Sequence, residues 1–414
     1  MLDSLEYLEL SKNIGHYFEF YCGDLSKNID YGYYTRRPPL YSIFLLVTSL
    51  FFTSKATIII VQSLLSISSI LVTKNFFEDQ FGQINKIILY LFTIFSLSQF
   101  IYANMLMSEI FVQFLIVLTI YVANLILKYK STKHLLIYQS LITLLLLTKP
   151  VFYLLVIPNI IITFIFCKRV FLKPTLTSLT SIIPIVIVLL YCHWNFERTG
   201  SYDFSSIQHV NLKDYNLKYF HLNKYGEEYA NKVNHDITVK SREISGYPKK
   251  IEFIKTQSID HLSKELIPYI FFHLRGSIKF FIDPGRYDLF MFFYPNSNKI
   301  SEVGFLSHFN KDGFLGVFKF LKTQPTPLII SLVIILILNI VKFLGFIWFW
   351  LKNAKNVNLI FYVMLFFILF LAGISGPVSA ARFTIPIYPL YFFFAIYGIN
   401  SFIKISNLTV SKHL

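Results

Sequence analysis

Along the 414 residues, apolar blocks of roughly 17 to 25 residues alternate with short polar punctuation. Blocks at 56–74, 85–104, 109–128, 134–150, 151–167, 174–194, 326–351, 357–376 and 384–404 are long enough, at about 1.5 Å per residue, to approach or cross a hydrocarbon layer about 30 Å thick. Many contain β-branched residues. A bilayer nevertheless leaves backbone polar groups no partner outside their own segment, so each block is read as helix. The pattern lapses over 195–325 into a long mixed insertion. One apolar run stands apart: 40–53 reaches only about 21 Å as a helix, so it is expected to dip into the outer leaflet and return. The pattern predicts an all-α polytopic membrane protein of about 9–10 transmembrane helices. It divides into a first external loop with a juxtamembrane helix (1–38), an N-terminal bundle (39–194), an external cap (195–325) and C-terminal helices (326–414).

Composition agrees: 55% of residues are hydrophobic and the mean hydropathy is +0.56. A net charge of +15 would point to nucleic acid in a soluble domain, but here many lysines sit between apolar blocks, where they set orientation. Lys128, Lys130 and Lys133, then Lys168, Arg169 and Lys173, then Lys352 and Lys355, and finally Lys404 and Lys412 all fall where the positive-inside rule puts the cytoplasm. Alternating crossings place Glu109, Lys149, the insertion and the turn at 376–382 on the outer face. Residues 1–38 join them if 40–53 does not cross, and because no apolar segment precedes them, a first transmembrane helix upstream of Met1 is expected.

Several residues are excluded as chemistry by their spacing. Cys22, Cys167 and Cys192 form no CxxC pair and read as packed thiols, with a Cys22–Cys192 bridge as the lesser alternative. His209, His221, His235, His261 and His273 are too scattered to argue a metal, and a divalent ion has no other support. No GxGxxG or P-loop marks a nucleotide fold.

What remains is a set of ionisable residues at membrane-entry points on the outer face: Asp3, Glu6, Arg36, Arg37, Glu109, Lys149 and Arg382. Cations beside the outer leaflet, with carboxylates facing them, suit a lipid-linked phosphate: the cations neutralise a leaving phosphate and a carboxylate takes a hydroxyl proton. Each has a plainer reading. Asp3 and Glu6 fit a capping box, Arg36 and Arg37 could anchor to headgroups, and Glu109 suits the dipole of its own helix. Lys149 reads equally as an interface anchor, and Asp24 and Asp30 are reserve bases in a solvated loop.

These residues also carry a resemblance. Asp3 and Tyr7 in "LDSLEYLELSKNI" resemble the D-x-x-x-Y signature in the first external loop of GT-C glycosyltransferases of the protein O-mannosyltransferase and aminoarabinose transferase kind. The basic residue and two prolines of "RRPPLY" follow some thirty residues on. "LMSEIF" is similar to the family's acidic opening of a later helix, and "ARFTIPIYPLYFFFAIYGI" to its R-[FY]-x-x-P-x-x-P entry into a late one. The order and spacing match well in the N-terminal half, moderately at the last span and loosely in the insertion. Ser4 departs from the pattern, which often has a second acidic residue there.

The resemblance implies transfer of a sugar, with inversion, from a polyprenyl-phosphate donor to a hydroxyl acceptor on the extracytoplasmic face of a membrane, such as a bacterial inner membrane. Asp3 would be the base and Arg37 the principal cation on the donor phosphate. Arg36, Lys149 and Arg382 would be further contacts, and Tyr7, Glu6 and Glu109 would support the site. "HWNFERTG", "SSIQHVNLKDYN" and "FFIDPGRYDLFMFF" give the insertion the aromatic and polar mixture of an acceptor-binding cap, or of a packed loop that touches no ligand. The rival of another class is a transporter or flippase of lipid-linked glycans. Its marks would be internal repeats or interrupted helices with charges near the midplane, and the sequence shows neither. A polymerase of such glycans is a neighbouring enzyme class.

Overall fold

The computed structural model describes residues 2–51, 54–294, 313, 315–316 and 318–410, and among them every regular element is helical. α1 (Leu2–Tyr17) leads through a loop to α2 (Leu40–Phe51), whose 12 residues rise about 18 Å, well short of a bilayer crossing. α3 (Lys55–Phe81) starts where Ser54 Oγ accepts the Ala56 N–H, and ends at Gly82, whose φ of 78° lets the chain turn out of the helix. The predicted span at 85–104 is two helices, α4 (Lys86–Ile94) and α5 (Leu97–Ala103), bent by 61° at the break. α6 (Ser108–Tyr129) and α7 (Thr132–Thr148) form an antiparallel pair. A 3-10 turn at Pro150–Leu155 then runs into α8 (Val156–Val170), and α9 (Ile182–Thr199) closes the N-terminal half.

The described part of the insertion is helical. It comprises α10 (Lys218–Tyr225), α11 (Glu227–Glu243), α12 (Tyr247–Ser263), α13 (Leu266–Ile282) and α14 (Arg286–Phe293). Its small core joins Leu217, Phe220, Ile237 and Leu262. α13 docks back on the bundle at Gly276, where a Cβ would stand 2.5 Å from the Gly376 carbonyl. α15 (Thr326–Asn353), α16 (Leu359–Ser375) and α17 (Tyr388–Val410) follow, with Asn358 capping α16.

Among the described residues seven helical segments are long and apolar enough to cross a membrane, and the bent pair brings the number to eight. α7, at 17 residues, is a shorter apolar helix, so the expected nine to ten spans become seven or eight by length. The chain is a multi-pass membrane protein. Ala381–Ile403 is its most enclosed span, 78% buried over its apolar window, against 28% for α3. That span forms the axis of the bundle: Tyr391, Phe393 and Phe394 are buried among Phe77, Phe346 and Phe349, with several ring centroids 4.9 to 5.8 Å apart. α15 lies closest to it, because Gly345 and Gly398 leave the two backbones in contact. All three cysteines are buried and free, so the Cys22–Cys192 bridge does not form. Lys412 lies outside the described residues, as does the side chain of Lys404.

Candidate functional site

At one end of the bundle, five segments of the chain bring their charges together. α1 contributes Asp3, Glu6 and Tyr7. The turn before α2 contributes Arg36 and Arg37, which Pro38 and Pro39 hold out of any helix. Glu109 opens α6 and Lys149 follows α7, while Arg382 lies on the short entry to the central span.

Asp3 is the hub. Arg37 Nη2 donates to its Oδ1 at 2.6 Å and Arg382 Nη2 to its Oδ2 at 2.5 Å. Each arginine also reaches a second carboxylate: Arg37 Nε donates to Glu6 Oε2 at 2.6 Å and Arg382 Nε to Glu109 Oε1 at 2.5 Å. Lys149 Nζ donates to the same Glu109 oxygen at 2.9 Å. Arg36 makes an ion pair with Glu6 Oε1 at 2.9 Å, though not in hydrogen-bond alignment. Tyr7 lies under Arg37, with the guanidinium 5.2 Å from its ring centre, and its hydroxyl meets Ser108 Oγ at 3.1 Å. Thus all eight residues singled out from the sequence form one network. The reserve bases lie elsewhere: Asp24 accepts from Ser26 and Asp30 from Gly32, both in surface turns.

Two plainer readings are corrected. Asp3 lies inside the first turn of α1, where its carboxylate is taken by arginines rather than capping the helix. Arg37 is buried among carboxylates, not extended to headgroups. A buried guanidinium is tolerable only when its charge and donors are matched, and its planar fork allows one arginine to serve two carboxylates.

The charges do not cancel. Four cations (Arg36, Arg37, Lys149 and Arg382) face three carboxylates (Asp3, Glu6 and Glu109), which leaves one positive charge in excess. Glu109 Oε2 is buried without a protein partner, so the site also holds an open acceptor. Burial alone would raise the Asp3 pKa, but Arg382 and Arg37 outweigh it and hold the carboxyl at about 2. Burial likewise opposes the charge of Arg37, yet Tyr7, Asp3 and Glu6 keep its pKa above the ordinary value.

Four residues beside the site, Asp288, Tyr102, Asp283 and Lys342, escaped the sequence reading. Asp288, on α14, is buried and accepts from Tyr102 Oη at 2.7 Å, and burial lifts its pKa to about 6. It belongs to "FFIDPGRYDLFMFF", whose Asp283 also caps the Arg382 segment by accepting the Ala381 N–H at 2.8 Å. A buried carboxyl next to a buried tyrosine has no signature spacing, so sequence gave no signal for the pair. Lys342, by contrast, stands alone inside the apolar run 326–351 and was visible.

The helix break at Phe95–Ser96 supplies the interrupted helix that the sequence had not shown, and Lys342, in a span nearby, is an intramembrane charge that the sequence reading passed over. Among the described residues no group of three or more His, Cys, Asp or Glu is placed to hold a metal ion. Comparison with family models, with curated proteins and with solved structures finds no match to this chain.

Proposed function

We propose that the protein is a membrane glycosyltransferase that moves a sugar from a polyprenyl-phosphate donor to a hydroxyl acceptor at the extracytoplasmic face. The observation that carries this reading is the shared carboxylate of Asp3, gripped by Arg37 and Arg382 within a cluster that keeps one excess positive charge. A lipid phosphate is the anion such a cluster at a membrane entry is suited to receive. The lysines at the opposite helix ends support an outer-face cluster by the positive-inside rule.

In the proposed reaction the acceptor oxygen attacks the anomeric carbon and the bond from that carbon to the phosphate oxygen breaks. The hydroxyl proton passes to Asp3 and the carrier departs as polyprenyl phosphate, its charge met by Arg37 and Arg382 with help from Lys149 and Arg36. A carboxylate with a pKa of about 2 is a weak base. The donor phosphate competes for the same two guanidiniums, and each hydrogen bond it takes from Asp3 raises the basicity of that carboxylate. The base is therefore readied by the substrate. Glu6 and Glu109 hold the arginines in place during this exchange, and Tyr7 supports Arg37 from below.

The test is turnover of a radiolabelled polyprenyl-phosphate sugar by the purified protein. Release of polyprenyl phosphate that disappears in Asp3→Asn, with folding intact, supports the reading; unchanged turnover in that variant removes Asp3 as base. The broken helix beside Lys342 favours a second reading, movement of a lipid-linked glycan across the bilayer. Glycan transport in proteoliposomes without any sugar transfer would decide for it.

A further inference from the structure

Lys342 lies 16 residues into the 28-residue apolar helix α15, preceded by the exposed Ile340 and Val341, yet its own side chain turns inward and is only 7% exposed. It lines a cavity of about 40 Å³ between α15, the entry to the central span and the break between α4 and α5. Ser98, Asp283, Asn339 and Tyr388 share that wall. Polar groups around the cavity are already engaged with one another: Tyr388 Oη donates to Ser96 Oγ at 2.6 Å, Ser96 Oγ to the Phe92 carbonyl at 2.7 Å, Asn339 Nδ2 to the Asp283 carbonyl at 3.0 Å. Asp283 uses Oδ2 on the Ala381 N–H.

Among the described residues no carboxylate stands within ion-pair distance of Lys342 and no acceptor within hydrogen-bond distance. An ammonium in the interior of a membrane protein is costly, and such groups face partners, cavities or ligands. Here only the cavity is left. On the scale where one water needs about 10–15 Å³, it has room for about three water-sized groups, which matches the free oxygens of one tetrahedral oxyanion. Irregular backbone at membrane depth is tolerated where it lines such a space, as the break at Phe95–Ser96 does.

We propose that Lys342 and this cavity form a phosphoryl-anion site, inward of the Arg37–Arg382 cluster and separate from it, that holds the phosphate of a lipid headgroup. Lys342 supplies three N–H donors and the charge, and the Ser98 hydroxyl lies on the same wall. The cavity touches Ala381, the neighbour of Arg382, so a lipid phosphate seated there lies next to the outer cluster. The inference rests on binding groups alone and stands whether or not the protein transfers sugar.

The full-length protein in phosphatidylcholine nanodiscs is titrated with dodecyl phosphate and, separately, with inorganic phosphate, bound phosphate being counted by native mass spectrometry. The wild type is expected to hold one more dodecyl phosphate per chain than Lys342→Met, with affinity at that site reduced at least tenfold in the variant and retained in Lys342→Arg. Lys342→Gln, also uncharged, gives the same reading where Met is not accommodated. Tighter binding of dodecyl phosphate than of inorganic phosphate assigns the site to a lipid, and equal binding to free phosphate. Equal stoichiometry and affinity in wild type and the neutral variants would overturn the proposal, the lysine then being a buried neutral amine. Sugar transfer by the same variants is read independently, so failure of this site and failure of the outer site are distinguishable.

Discussion

Arg382 Nη2 lies 2.5 Å from Asp3 Oδ2, although the two residues are separated by 379 positions in the chain. The same guanidinium holds Glu109 through Nε, so the first helix, the start of α6 and the entry to the central span meet at one side chain. No lysine could reproduce this. A single ammonium has neither the reach nor the planar fork to serve two carboxylates at fixed angles.

Arg382→Lys is therefore expected to behave as a loss rather than a conservative change. Turnover of a polyprenyl-phosphate sugar should fall by about 10²-fold or more, in line with removing a preorganised charge contact in a transition state. Steady-state kinetics of the purified variant checks this. A variant within twofold of wild type would mean that Arg382 has only a structural part.

Asp3→Asn keeps the shape of the hub but removes its charge. Turnover is expected to drop by about 10²- to 10⁴-fold, the range of a lost general base. Stability should fall as well, because Arg37 and Arg382 then face one another without the anion between them. A thermal melt run beside the activity assay separates the two effects.

The pH dependence of Asp3 has a definite sign. Its folded pKa, about 2, is below the unfolded value of about 3.9, so its contribution to stability is present above pH 4 and is lost as pH falls towards 2. As a base it must be ionised. In the free protein the acid limb of kcat/KM should accordingly lie below pH 4, whereas the limb of kcat, which reports the donor complex, should move upward as phosphate draws the arginines away. Coincident limbs in the two profiles would contradict substrate activation of the base.

Asp288 has the opposite sign. Burial raises its folded pKa to about 6, so the fold favours the protonated form, and stability should rise as pH drops from 7 towards 5. Asp288→Asn, neutral throughout, should remove that slope and be more stable than wild type at pH 7 by up to about 3 kcal/mol, about two pKa units at roughly 1.4 kcal/mol each. Unfolding midpoints of both proteins across pH 5 to 8 decide the matter.

Gly345→Val tests the packing beneath the site. A Cβ there would come 2.5 Å from the Ala395 carbonyl and 2.7 Å from Ile399 Cγ1, closer than the two helices allow without moving apart. The expected outcome is loss of a monodisperse folded species on size-exclusion chromatography, with Gly345→Ala affected less.

Much of the site was legible because a charge in an apolar sequence is conspicuous. Glu109, Lys149 and Arg382 each mark the edge of an apolar block, and helix parity placed them at one end of the bundle; Asp3 and Arg37 joined them on the reading that 40–53 does not cross. Their pairing was not legible, since it depends on how α1 tilts back over the entry to the central span. The break at Phe95–Ser96 carries neither Pro nor Gly. It is held by side-chain bonds from Tyr388, almost 300 positions away, and local sequence has no means of announcing that. Asp288 was hidden for a similar reason: its partner Tyr102 lies in a different third of the chain.

The dependence of Asp3 on Arg382 also sets an order in time. A ribosome delivers Asp3 379 residues before Arg382, so a chain that has not yet reached Arg382 displays an incomplete cation set. On the proposed function, the binding place for a lipid phosphate is finished only when these two distant parts of the chain have met.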